Sequence, residues 1–165
     1  MENTITIKPI CNDYCPQVID IVLGIQQGEF GLPITLDDQP DLRDIEANYH
    51  TGGGSFWGAF LGDELIGTIA LLNGGQGLGA IRKMFVKKEY RGKELGVAQK
   101  LLDTLLSHCN KNQFHDIYLG TVPPLKAAHR FYERNGFLAI DELPAHFPRM
   151  AADTMFYHLP LISKV

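Results

Sequence analysis

The stretch Ala80–Leu102, AIRKMFVKKEYRGKELGVAQKLL, decides the architecture. Ile81, Lys83 and Phe85 alternate with Arg82, Met84 and Val86, the period of an extended strand. From Leu95 the period changes: Leu95, Ala98, Leu101, Leu102, Leu105 and Leu106 recur at helical spacing. A basic, glycine-bearing turn joins the two, with Lys87, Lys88, Arg91, Gly92, Lys93 and Gly96. Such a turn brings the unpaired N–H groups and the positive dipole end of a helix against whatever lies in front of it. Glycines let the backbone come close to an anion, but Glu94 sits inside the loop. Spacing alone leaves two readings open, an anion-binding loop and an ordinary helix start with a solvated charged face.

On the N-terminal side, TITIKPI reads as a first strand. Val18, Ile19, Ile21, Val22 and Ile25 then mark a helix from Asn12 to about Gln27. GEFGLPITLDDQP is loop, and DLRDIEANYH a short second helix with Leu42, Ile45 and Tyr49 on one side. SFWGAFL and ELIGTIALL form a hairpin about Gly62-Asp63. On the C-terminal side come a strand, HDIYLGT, a helix, LKAAHRFYERNG, and two closing strands, FLAID and DTMFYHL. The order is β-α-α-β-β-β-α-β-α-β-β, an α/β (α+β) domain with a mixed central sheet flanked by helices.

The 165 residues are expected to form a single domain over 1–165. Hydrophobic residues make up 45% of the chain, enough for a core of useful size, and the net charge of −4 argues against a nucleic-acid partner. The longest apolar run, LIGTIALL, is far short of the about 20 residues of a membrane span. MENTITIKPI lacks the basic and apolar regions of a secretory signal. Three cysteines, an odd count, fit a reducing, cytoplasmic setting better than a disulfide scaffold. Cys11 and Cys15 have no second ligand pair at zinc-like spacing, so no metal is expected.

GQGLGA, Gly75–Ala80, matches the glycine spacing of a dinucleotide loop, but a strand pattern follows it where that motif requires a helix. It is read as a hairpin turn; a dinucleotide-dependent oxidoreductase would need it as a cofactor site.

RKMFVKKEYRGKELGVAQKLL followed by AAHRFYERNGF resembles the GNAT superfamily of acyl-CoA-dependent N-acetyltransferases, over about Arg82–Phe137. The first segment is similar to the family's pyrophosphate loop, with Arg91 at its first position and Gly96 at its last; the second is similar to a following helix whose tyrosine is Tyr132. The resemblance implies a GNAT-like fold and acetyl-CoA as cosubstrate. It places the backbone of Arg91, Gly92, Lys93, Glu94, Leu95, Gly96, Val97 and Ala98 around the pyrophosphate. Met84 and Val86 would lie along the pantetheine arm, and Tyr132 would donate a proton to the departing thiolate. His129, one turn before Tyr132, is a further candidate for touching cofactor or substrate, against a plain packing role. Three positions depart from the family: Glu94 replaces a glycine, Ala80 stands where many members carry a glutamate base, and Leu125 replaces an asparagine.

With Ala80 unable to act as a base, Glu29 is the candidate, because neighbouring Phe30 would desolvate it and raise its pKa. Gln26, Gln27, Asp37, Asp38, Gln39 and Asp41 belong to the same acceptor-side segment, which equally reads as a solvated loop. The resulting expectation is acetyl transfer to a primary amine, with a small-molecule acceptor, no nucleic acid, no membrane, and a homodimer allowed. The alternatives are a peptide or protein amine as acceptor, or a non-catalytic acyl-CoA-binding module. Glu94 is expected to point to solvent, since the ligand would touch backbone there.

Overall fold

Seven strands carry the fold: β1 (Ile5–Pro9), β2 (Ser55–Leu61), β3 (Glu64–Gly75), β4 (Leu78–Val86), β5 (Asp116–Thr121), β6 (Leu138–Ile140) and β7 (Met155–Pro160). The structure, a computed structural model, describes residues 4–92, 94–145, 147–150 and 153–161. Among these the strands form one sheet in the order β1-β2-β3-β4-β5-β7-β6. β1 to β4 are an antiparallel meander, β4 and β5 pair in parallel, and β7 slots antiparallel between β5 and β6. A parallel pair needs a crossover, and α2 (Val97–Lys111) supplies it.

The helices cover both faces. α1 (Cys15–Leu23), continued by a wider helical turn over Gly24–Glu29, contributes Val18, Ile21 and Val22 to a core with Leu42, Ile45, Tyr49, Phe56 and Phe60. On the opposite face α2 contributes Leu101, Leu102 and Leu105, and α3 (Lys126–Arg134) contributes Tyr132, to a core with Trp57, Ala59, Ile69 and Leu119. Phe56 and Phe60 face the first core while Trp57 and Ala59 face the second, which is why SFWGAFL is apolar throughout.

Two local expectations are corrected. The helix read over Asp41–His50 is two separate turns, Pro40–Arg43 and Glu46–His50. Asp44 divides them: its backbone is non-helical (φ −151°, ψ 83°), and its carboxylate accepts from the Ala47 N–H at 3.0 Å. The even alternation read through β4 is also broken. Thr68 pairs Phe85 but Ala70 pairs Arg82, so Lys83 and Met84 together face the single residue Ile69. Gly75–Ala80 spans the β3–β4 hairpin, with Gly75, Gln76 and Gly77 at φ of 88°, 57° and 79°, and leads into a strand.

Candidate active site

β4 and β5 stay paired only from Leu78↔Asp116 to Ile81↔Leu119. Beyond that β4 remains on β3, while Gly120 and Thr121 of β5 pair only with β7. The sheet therefore opens in a V whose two sides expose backbone polar groups. The bulge sits at the fork. Lys83 has φ +51°, a left-handed conformation that a side chain adopts only when its surroundings hold it there. The Thr68 hydroxyl donates to the Lys83 carbonyl at 2.6 Å and fixes the kink.

A cavity of about 410 Å³ fills the fork, within the range of small-molecule sites. β4, β5 and α3 supply one wall, including Met84, Gly120, Leu125 and Tyr132. The segment after α1 supplies the other, including Gln26, Phe30, Ile34 and Gln39. The bulge brings consecutive cations, Arg82 and Lys83, to this one cavity. Lys83 is buried; its Nζ donates to Gln39 Oε1 at 2.6 Å and lies 3.5 Å from Asp41 Oδ2. Gln39 and Gln26 hold each other through reciprocal amide bonds of 2.8 and 3.3 Å, and Tyr49 Oη donates to Asp41 at 2.6 Å. Desolvation lowers the Lys83 pKa against the pull of Asp41. The sequence reading overlooked Lys83 as a site residue. Its signal was a lysine at an inward position between Ile81 and Phe85.

The glycine loop leads into α2 as the sequence implies. Gly96 precedes the helix at φ +62° and Gly92 lies at φ +122°, conformations suited to glycine. The Lys100 N–H bonds to the Gly96 carbonyl, and no side chain caps the helix. Among the described residues nothing on the backbone accepts from the Ala98 or Gln99 N–H. These free amides at a positive dipole end are what a pyrophosphate requires. The Glu94 side chain is exposed, as expected from the sequence. Lys93 lies outside the described residues.

Other candidates are placed differently. Met84 lines the cavity, whereas Val86 is buried beside it and its carbonyl accepts from Arg91 Nε at 2.8 Å. The Arg91 guanidinium also grips Glu29 in a two-pronged ion pair of 2.6 and 2.7 Å. That overturns the raised pKa expected of Glu29: the Arg91 hydrogen bond holds its carboxyl below the ordinary value, and Glu29 does not line the cavity. Because the folded-state pKa is depressed, the pair stabilises the fold above the unfolded value of about 4.3. That contribution fades as pH falls through the folded value. The stability difference between the protein and Glu29→Gln, measured in urea, should therefore shrink between about pH 6 and pH 3.

His129 is buried with Nε2 3.0 Å from the Val122 carbonyl oxygen and does not line the cavity, so it braces the end of β5. Cys109 is fully buried on α2 and burial pushes its thiol up to about 12. Tyr132 reaches the cavity from α3. Burial, then Asp153, then Tyr157 raise its phenol well above the ordinary value.

Residues 21–137 match the model of the Acetyltransferase (GNAT) family. An acetyltransferase of that family from Staphylococcus aureus Mu50 is 39% identical, covering 96% of this chain and 100% of its own, with a TM-score of 0.93. An acetyltransferase from Streptococcus agalactiae 2603 is 30% identical, covering 98% and 100%, with a TM-score of 0.90. The fold alone is shared with the PaiA N-acetyltransferase of Thermoplasma acidophilum, solved in complex with coenzyme A, at 16% identity, coverage of 95% and 99%, and a TM-score of 0.74. No curated protein matches. The fork between β4 and β5, the glycine entry to α2 and these likenesses agree: the chain belongs to the GNAT acetyltransferase family.

Proposed function

We propose that the protein transfers the acetyl group of acetyl-CoA directly to the primary amine of a small molecule. The observation that carries this is the fork after Ile81↔Leu119, which opens onto a cavity containing the Tyr132 side chain. Acetyl transfer needs a slot for an extended thioester, a donor for the leaving sulfur and room for an amine on the far side. The coenzyme A complex of the Thermoplasma PaiA enzyme supports acetyl-CoA as the cosubstrate.

The residues divide the work. The N–H groups entering α2 hold the pyrophosphate, and Met84 borders the pantetheine. The unpaired backbone of β4 beyond Ile81 offers fixed donors to the oxyanion that builds on the thioester carbonyl. Tyr132 protonates the departing thiolate. The cavity volume of about 410 Å³ favours a small acceptor over a protein surface.

Ala80 favours a second reading, a non-catalytic acyl-CoA sensor: it is buried between Leu72 and Tyr118, with no carboxylate at the family's usual base position. Thiol release from acetyl-CoA across a panel of primary amines separates the two. The enzymatic reading expects saturable release with at least one amine. Tight acetyl-CoA binding with no amine-dependent release would establish the sensor.

A further inference from the structure

We propose that Asp153 accepts the proton of the attacking amine while Tyr132 protonates the departing thiolate. The inference rests on the acetyltransferase reading above and supplies the base that Ala80 cannot.

Asp153 lies just before β7 and lines the cavity. The Thr154 N–H bonds to the Thr121 carbonyl at 3.0 Å, which ties this chain to the free end of β5. A Cβ on Gly120 would collide with the Asp153 carboxylate, so that carboxylate rests on β5 one residue past Leu119, where the strands part. It stands at the fork on the Gly120 face of β5, opposite the Leu119 face that packs with Tyr132, and both Asp153 and Tyr132 line the cavity. Its charge is one of the influences raising the Tyr132 phenol.

The groups acting on Asp153 are Arg82 and Lys83 from β4, and Arg149 and the Met150 N–H from the preceding loop. None of the cations forms an ion pair with it among the described residues; Arg82 Nη1 instead meets Met150 Sδ at 3.4 Å, and Lys83 is taken by Gln39 and Asp41. A partly buried carboxylate lacking a contact cation keeps a free lone pair for a ligand proton. Desolvation raises its pKa despite the three cations, toward the range in which a carboxylate serves as a base near neutrality. Arg82 and Lys83 also oppose an ammonium in the cavity, which favours the neutral amine that attack requires.

The protons balance. The neutral amine forms a C–N bond to the thioester carbon, and its surplus proton goes to the Asp153 carboxylate. The C–S bond breaks and the thiolate takes the phenolic proton of Tyr132. Asp153 then releases its proton to solvent and the Tyr132 phenolate takes one back from solvent, restoring both groups. A phenol well above 10 is a poor donor to a thiol of about 8.5. Neutralising Asp153 first removes one of the charges that hold the Tyr132 proton.

The test uses acetyl-CoA with the most active amine of the panel, across about pH 5–9, with acetyl-CoA affinity from calorimetry. Asp153→Asn should lower kcat by about 10²–10⁴-fold with affinity within about twofold. The fall in kcat/KM at low pH, expressed per neutral amine, should vanish with it, and Asp153→Glu should regain at least about tenfold over Asp153→Asn. Arg82→Gln removes a cation, so that low-pH fall should move to higher pH. If Asp153→Asn fails to fold by circular dichroism, the Arg82→Gln displacement decides. Activity within about threefold in Asp153→Asn, or an unmoved limb in Arg82→Gln, overturns the assignment. A wild-type protein that binds acetyl-CoA but acetylates no amine defeats the acetyltransferase reading itself, and is told apart by its silence before any substitution.

Discussion

Tyr132→Phe is expected to reduce kcat by about 10²–10⁴-fold while leaving stability within about 0.5 kcal/mol. The ring does the packing: its centroid lies 5.9 Å from Phe131, 5.6 Å from Phe137 and 5.9 Å from Tyr157. Phenylalanine keeps all three contacts. The hydroxyl makes no hydrogen bond to a described residue, so its removal orphans no partner and costs little in the fold. Only the hydroxyl proposed as proton donor is lost. A coincident urea transition and unchanged acetyl-CoA affinity beside a collapsed kcat would locate the effect in thiol departure. An unchanged kcat would show that solvent protonates the thiolate and that Tyr132 is a core aromatic. Because its phenol is raised, Tyr132 should impose no alkaline loss of activity below about pH 10.

Leu102→Ala should destabilise the fold by about 2–5 kcal/mol, read from urea unfolding. Leu102 is fully buried on the face of α2 that packs against the sheet, beside Leu101 and Leu105, which are equally buried. The cavity left behind has little means to close, because helix and strands are held on either side. Against a typical total of about 5–15 kcal/mol this is a large share. A lower midpoint at an unchanged slope would confirm a loss of packing alone. A loss under about 1 kcal/mol would mean that α2 is held mainly by its ends.

The backbone geometry of the glycine loop was legible because it is local. Gly92 and Gly96 need only their own backbone angles and the helix that follows to present free amides. The base was not. Glu29 was chosen for its neighbour Phe30, yet its environment is set by Arg91, 62 positions away, through an ion pair that no local pattern announces. Lys83 likewise hid inside a strand pattern that seemed regular. The bulge that turns it beside Arg82 exists because Thr68 and Ala70 of β3 pair on either side of it.

The sequence by itself determined the seven strands, the three main helices and the loop that opens α2, since hydrophobic period and glycine placement act over a few residues. Tertiary structure alone decided where β4 and β5 separate, which polar side chains line the opening, and that Asp153, from beyond the last loop, rests on Gly120. Those outcomes depend on register between strands distant in the chain. A shift of one residue there turns a side chain from core to cavity, and no local propensity records it.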